Sequence, residues 1–297
     1  MTSLWRGVIP AITTPFREDF SVDYDAFTAH CRWMAECGCT GVVIGGSLGE
    51  GGSLTLDEKA RLIRAARTVE GLHAILGVAA LTTAEAVEIA RMGEREGAHG
   101  LMVLPPYVYV GDWRENKTHV SAVCQATPLP CMLYNNPIAY TTDFLPEQVV
   151  ELLEANPTLH AIKESAADVR RVTELRALAG ERLEILVGVD DLIVEGVAAG
   201  AVGWIAGLAN AFPRESVELF ELARAGRHSE AFALYRWFLP LLRMDTVPKF
   251  VHLIKFVQQE VGRGNERLRP PRLALAGEER VQAKAALERA LAAAAAG

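Results

Sequence analysis

Leu159-His160-Ala161-Ile162-Lys163-Glu164-Ser165 is a short, largely apolar run between two amphipathic stretches, residues 146–154 and 169–179. The run reads as a buried strand and its flanks as helices. Outward from it the same alternation repeats. Strands are expected at 8–13, 41–45, 74–78, 100–104, 131–134, 160–163, 185–189 and 203–206, and helices at 24–36, 56–69, 84–96, 113–126, 146–154, 169–179, 192–199 and 214–224. Cap signals open several helices: Ser21 and Asp23 before the first, Thr55 with Glu58 before the second, Thr83 before the third. Gly38, Gly71, Gly97 and Gly180 follow helix ends. Strands joined by helices form a parallel sheet, and eight such units close a (β/α)8 barrel, typically about 250 residues long. A doubly wound open sheet is the alternative, weakened because no G-x-G-x-x-G loop follows the first strand. The expected architecture is α/β: a (β/α)8 TIM barrel over residues 1–225 and a C-terminal helical extension over 226–297. That extension has helices at 228–244, 247–261 and 278–295 and a break at Arg269-Pro270-Pro271. The Ala-rich tail, 291–297, reads as a fraying end.

A chain of 297 residues, 50% of them hydrophobic, can bury one large core. Charged residues make up 23%, the formal net charge is -7 and no Lys/Arg block occurs, so neither nucleic acid nor an anionic membrane is favoured as a partner. Apolar stretches are too short or interrupted to span a bilayer, and residues 1–7 lack a signal core; the expected compartment is cytoplasmic. Five cysteines, Cys31, Cys37, Cys39, Cys124 and Cys131, are an odd number in a long chain, which argues against a disulfide framework. Cys37 and Cys39 form a C-x-C, and His30 is the one extra ligand nearby that a zinc site would need. Buried structural thiols are the better reading, and no metal is expected.

Lys163 carries the chemical expectation. A buried ammonium loses several kcal/mol of hydration unless it is paired or gives up its proton. Desolvation lowers a lysine pKa, and a neutral amine attacks carbonyl carbon. The other five lysines, Lys59, Lys117, Lys249, Lys255 and Lys284, lie in stretches that read as amphipathic helix. The plain alternative is an ammonium that reaches solvent or a carboxylate at the strand end. Active sites of such barrels lie where strands end and βα loops begin. The second strand ends Gly45-Gly46-Ser47-Leu48-Gly49-Glu50, whose small residues allow backbone N–H groups to cradle a carboxylate; an ordinary Gly-rich turn is the alternative. The fifth ends Leu133-Tyr134-Asn135-Asn136-Pro137, where a tyrosine can shuttle protons or simply pack. If Lys163 points into the mouth, strand alternation sends Glu164 outward, into a structural role. Gly188 can expose a carbonyl to a ligand and Ile205 can form an apolar wall that desolvates Lys163; both are equally consistent with packing. No paired carboxylates, His-x-x-x-His pattern or Ser-His-Asp set stands out among the strand ends.

Gly46-Ser47-Leu48-Gly49-Glu50 with Leu54-Thr55-Leu56, then Tyr134-Asn135-Asn136-Pro137, then Ile162-Lys163-Glu164-Ser165, together resemble the dihydrodipicolinate synthase/N-acetylneuraminate lyase family. The likeness runs in order from Gly7 to Asn210, and the 29-position spacing from Tyr134 to Lys163 makes it specific. The resemblance implies a (β/α)8 class I aldolase-type lyase that forms a Schiff base with a 2-oxo acid, usually pyruvate. It also implies no metal or organic cofactor and a homo-oligomer, tetramer or dimer. Carried over by position, Lys163 is the Schiff-base lysine and Tyr134 the proton relay. Gly46, Ser47 and the Leu48 amide hold the substrate carboxylate, and Gly188 and Ile205 line the site.

The departures narrow the reaction. Synthases of the family usually show G-T-T-G-E, and Leu48 stands where the second threonine would be. Five residues after the tyrosine they carry an arginine that grips the aldehyde substrate's carboxylate; here that position is Ala139, followed by Tyr140. The tyrosine lent by a neighbouring subunit aligns with Val108, leaving Tyr107 and Tyr109 as candidate relays. Asn135-Asn136-Pro137-Ile138-Ala139-Tyr140 and Asp245-Thr246-Val247-Pro248-Lys249 resemble the hydroxyproline-breakdown branch, which includes 1-pyrroline-4-hydroxy-2-carboxylate deaminase. The alternatives are a 2-keto-3-deoxy sugar acid dehydratase or aldolase, 4-hydroxy-tetrahydrodipicolinate synthase, a metal-dependent pyruvate aldolase, or a non-catalytic 2-oxo acid binding protein.

Overall fold

The computed structural model describes residues 4–107 and 109–296. Eight strands, β1 (Gly7–Pro10), β2 (Gly41–Ile44), β3 (His73–Val78), β4 (Gly100–Val103), β5 (Cys131–Asn135), β6 (Leu159–Glu164), β7 (Glu184–Val187) and β8 (Gly203–Ala206), pair in parallel in sequence order, with β1 beside β8. The remaining seam, β1 to β2, is held by Thr40 N–H to Val8 O and Ile12 N–H to Val43 O, each 3.0 Å. The sheet therefore wraps into a barrel, and the open doubly wound alternative falls. The strands are buried almost throughout, because their inward faces fill the barrel and their outward faces meet helices.

The surrounding helices are α1 (Tyr24–Glu36), α2 (Leu56–Arg67), α3 (Thr83–Arg95), α4 (Trp113–Cys124), α5 (Pro137–Tyr140), α6 (Pro146–Ala155), α7 (Arg170–Ala179), α8 (Ile193–Ala198) and α9 (Pro213–Arg224). Asp23 caps α1, and Thr55 with Glu58 forms the capping box of α2. The cap of α3 is Thr82, not Thr83. Its extended backbone lets Oγ1 accept from Glu85 N, whereas the Thr83 hydroxyl pairs with His119 Nδ1. The short α5 has no counterpart among the expected elements, because four residues are too few to show a period. Asn136 caps it, and Pro137 occupies its first position.

Three further helices, α10 (His228–Leu242), α11 (Phe250–Glu260) and α12 (Gly277–Ala296), follow α9. The Ala-rich tail does not fray at 291: α12 continues to Ala296 and packs along α10, with Leu287 and Ala290 buried. Alanine's helix propensity sustains that last turn. The helix expected from residue 247 starts at Phe250, preceded by a 3-10 turn over Arg243–Asp245 that lies at the barrel mouth. Lys163 is not the only buried lysine. Lys59 is 6% exposed and Lys255 1%. Lys255 Nζ donates to Glu50 Oε1 and Thr14 O, each at 3.0 Å, and to Arg267 O, so the C-terminal helices anchor the loop after β2.

All five cysteines are free and buried. His30 pairs with Asn210 Oδ1 at 3.1 Å rather than with them. Among the described residues no group of three or more His, Cys, Asp or Glu side chains is placed to share a metal ion, and no helix is long and apolar enough to cross a membrane.

Candidate active site

A cavity of about 780 Å³ opens at the C-terminal ends of the strands. Lys163 on β6 and Tyr134 on β5 are register partners, so both side chains point the same way, into that cavity. Lys163 Nζ lies 3.9 Å from the Tyr134 ring centroid and makes no ion pair or hydrogen bond among the described residues. Burial pushes its pKa below the ordinary lysine value; the charges of Asp245, Tyr140 and Asp190 oppose that shift without reversing it. The Tyr134 hydroxyl accepts from Asn136 Nδ2 at 2.9 Å, and burial raises the phenol to about 12. Asn136 does two jobs, since its Oδ1 also accepts from Ala139 N to cap α5.

Glu164, the next residue on β6, turns to the other face of the sheet. Its carboxylate accepts from Asn135 Nδ2 at 3.0 Å and Ala166 N at 2.6 Å, and burial raises its pKa. Asn135 Oδ1 takes Phe144 N–H at 3.0 Å, and Arg171 grips Asp143 with two bonds of 2.6 and 2.7 Å. This layer braces the strand pair from behind.

Across the barrel, Gly46, Ser47 and Leu48 line the cavity. The Ser47 and Leu48 amides donate to no protein acceptor among the described residues, which leaves them for a ligand. The loop is pinned just beyond, where Glu50 adopts a left-handed backbone (φ 56°) and its carboxylate meets Lys255 and the Arg269 amide. Ser47 Oγ hydrogen-bonds the Tyr140 hydroxyl, and the Tyr140 ring stands edge-on to Tyr134 at 5.7 Å. Burial raises the Tyr140 pKa. Tyr107 also lines the cavity, 6.3 Å from the Tyr140 ring, whereas Tyr109 is exposed outside it. Val108 lies outside the described residues. Ala139 contributes only a methyl group to the lining. The one arginine lining the cavity among the described residues, Arg272, sits 3.8 Å from Glu50.

Gly188, at the end of β7, owes its identity to Lys163. A Cβ there would lie 2.6 Å from both Cγ and Cε of Lys163 and 2.0 Å from Ser165 Oγ. The bare α-carbon leaves room for the lysine stem. Ile205, 1% exposed, supplies an apolar wall.

The structure brings in residues that sequence reasoning left without a role. Ser165 Oγ is buried beside the Tyr134 hydroxyl, where it opposes the rise of that phenol's pKa. Asp190 is fully buried under the site. It accepts from Trp204 Nε1, Gly207 N and Leu208 N at 2.8 to 3.1 Å, and burial lifts its pKa to about 6 against those donors. Asp245, from the turn after α10, lines the cavity itself, and burial raises its pKa well above the usual carboxylate range. The neighbouring acids Asp190-Asp191 carried no sign of which one turns inward. Asp245 lies 82 positions beyond Lys163, so only the tertiary fold joins them.

A dry amine and a dry phenol on adjacent strand ends of a (β/α)8 barrel define a barrel lyase. The chain belongs to the dihydrodipicolinate synthetase family, whose profile matches residues 4–290. It is 30% identical over 272 residues to the 4-hydroxy-tetrahydrodipicolinate synthase of Rhizobium meliloti (strain 1021), covering 91% of this chain and 92% of that protein. It is 33% identical over 231 residues to a protein of Saccharopolyspora erythraea named probable 5-dehydro-4-deoxyglucarate dehydratase, covering 76% and 74%. Among solved structures, the 4-hydroxy-tetrahydrodipicolinate synthase from Methylacidiphilum fumariolicum SolV superposes with a TM-score of 0.93 at 28% identity, over 98% of this chain and 97% of that one.

Proposed function

We propose that the protein is a Schiff-base lyase that removes the 4-hydroxyl of a 2-oxo or cyclic 2-imino acid, and that its reaction is the deamination of 1-pyrroline-4-hydroxy-2-carboxylate. The observation that carries this reading is Lys163: buried, unpaired, its pKa lowered, and stacked on Tyr134. The neutral amine adds to C2 of the ring imine. The C2–N ring bond then breaks, its nitrogen taking a proton and remaining as an amine on C5, and C2 becomes an iminium on Lys163. Loss of a C3 proton gives an enamine, whose electrons expel the C4 hydroxyl as water. Tautomerisation moves unsaturation to the C5 amine. Two waters then release ammonia from C5 and the 2-oxo acid from Lys163, giving 2-oxoglutarate semialdehyde. Tyr134 moves the protons at the nitrogens on C2 and at C3, and the Ser47 and Leu48 amides hold the carboxylate.

The synthase reading has support of its own, since several relatives carry that name at about a third identity. Against it stands Ala139, because a methyl group does not replace a fixed guanidinium clamp. The dehydratase reading shares every step through the loss of the 4-hydroxyl. Leu81, Tyr109 and Val110 are exposed apolar side chains, and we include in the proposal a homo-oligomer that would cover them.

The test is direct. Incubation with the pyrroline should release ammonia and semialdehyde, and borohydride with pyruvate should add mass at Lys163. No adduct with any 2-oxo acid would defeat the Schiff-base reading. Faster turnover of pyruvate with aspartate semialdehyde would decide for the synthase.

A further inference from the structure

The cavity holds a carboxyl with no bonding partner among the described residues, and near it a buried hydroxyl. Asp245 makes no hydrogen bond or ion pair among the described residues, and Ser165 Oγ, on a residue 1% exposed, lies beside the Tyr134 hydroxyl. Both line the cavity, and they stand on the side of β6, β7 and β8. Asp245 rests on Gly207, just past β8: a Cβ there would lie 2.0 Å from its Oδ1. Asp190, a fully buried acid nearby, does not line the cavity, and three N–H donors occupy it. The two carboxyls are therefore unlike. One is fixed in the scaffold and the other is free at the surface of the site.

The orientation of the substrate follows from the barrel. The Ser47 loop ends β2 and Lys163 lies on β6, four strands away in an eight-stranded ring, so the two face each other. A 2-oxo acid with its carboxylate on the Ser47 loop and C2 at Lys163 must extend C3 and C4 onward, away from that loop. Ser165, two residues past Lys163, and Asp245, against Gly207 just past β8, are lining groups outside that loop that C4 can meet.

We infer that Asp245 is the acid that protonates the departing C4 hydroxyl, with Ser165 holding that hydroxyl in place. This inference rests on the 4-hydroxyl elimination proposed above. In the step, the enamine electron pair re-forms the iminium at C2. The C2=C3 bond shifts to C3=C4, the C4–O bond breaks, and its oxygen takes the carboxyl proton of Asp245 and leaves as water. Asp245 becomes a carboxylate, and the next proton released in tautomerisation restores it. Burial shifts the carboxyl toward its protonated form, the direction a donor requires. Tyr134, held by Asn136 beside Lys163, is left for the C3 proton.

The full-length enzyme, its Asp245→Asn variant and its Gly207→Ala variant test this. Three rates are compared: borohydride trapping of pyruvate on Lys163, exchange of pyruvate C3 hydrogens in D2O, and loss of the 4-hydroxyl from the pyrroline. Asparagine keeps the shape and loses the proton, and the alanine methyl displaces the carboxyl. Both variants should trap and exchange within about threefold of the parent, while kcat for elimination falls on the order of 10²- to 10⁴-fold, the range for removal of a general acid. Equal loss of all three rates makes Asp245 structural and overturns the assignment; so does undiminished elimination in Asp245→Asn. A parent enzyme that traps and exchanges pyruvate but eliminates from no 4-hydroxy acid sinks the proposed reaction, and this inference with it.

Discussion

Replacing Gly188 by alanine adds one methyl group where the site has no room. Gly188 is outside the left-handed backbone region, so crowding alone decides the outcome. The new Cβ would stand 2.6 Å from Lys163 Cγ and Cε and 2.0 Å from Ser165 Oγ, all far inside contact distance. The β7 backbone is fixed at this point by Gly188 N–H to Glu164 O at 2.9 Å, so the lysine stem must yield. Overpacking of this kind costs about 1–3 kcal/mol, a loss that a large core tolerates. The cost in chemistry is greater. Moving Nζ by about 1 Å from its attack position lowers rates by roughly 10²-fold. The assay is borohydride trapping of pyruvate followed by intact mass, run beside a thermal melt. The expected result is a folded protein with a modestly lower midpoint and trapping slowed by about two orders of magnitude. Trapping at the parent rate would show that the lysine stem does not depend on the space at Gly188, and would refute the reasoning.

The other predictions concern the groups around that amine. Lys163→Ala and Lys163→Arg should both give folded protein with no adduct, since a guanidinium stays charged and is not a nucleophile; mass spectrometry after borohydride reads this. Tyr134→Phe should slow turnover by about 10²- to 10⁴-fold, and full activity would remove the phenol from the mechanism. Lys163→Met should be more stable than the parent, increasingly so as pH falls from 10.5. The unfolded lysine binds a proton there that the folded one, with its lowered pKa, does not, so the parent alone loses stability on acidification; urea midpoints at pH 9 and pH 7 check the sign. Lys255→Met strands the Glu50 carboxylate, 0% exposed, without its main cation. A loss of about 3–5 kcal/mol in urea unfolding is expected, with weaker binding of 2-oxo acids as the Ser47 loop loosens.

The barrel was legible because burial leaves a mark in composition. All eight strands lie where apolar runs occur. Their ends are less sharp, because apolar runs record burial rather than pairing. Residues 11–13 and 188–189 continue the apolar or small pattern of β1 and β7, yet only an isolated bridge at Ala11 extends the first. Lys163 stood out for the converse reason, as a charge in an apolar strand. Lys255 did not, although it is more deeply buried, because on an amphipathic helix a lysine carries no sign of which face it occupies. Asn136 could have been read from its place before Pro137, where a cap is expected; that its amide also reaches Tyr134 depends on the fold of α5. Asp245 enters only as the first residue of the 245–249 resemblance and has no role there, because an acid in a turn is ordinary until the chain lays that turn over the barrel mouth.

The proton count ties these groups into one device. Lys163 and Asp245 line one cavity, and burial drives the amine down and the carboxyl up, so it opposes charge on each of them. Charging both would gain their mutual attraction, but each would lose its hydration in the same step, and no bond among the described residues is in place to compensate. In the proposed reaction a neutral pair would be a nucleophile facing an acid, the combination needed to open an imine and then expel a hydroxyl. Once the proposed iminium forms, the cation would be permanent until hydrolysis. A carboxylate at Asp245 is then favoured where it was previously opposed, so release of its proton becomes easier at the stage when the leaving group requires it. Asp190 differs: its three N–H donors hold it in the scaffold, where under the proposed mechanism it would steady the positive charge from below without exchanging protons with the substrate. Moving either acid to the other's place would lose both effects, since a saturated carboxyl cannot approach the ligand and a free one beneath the site would pair with Lys163 and quench it.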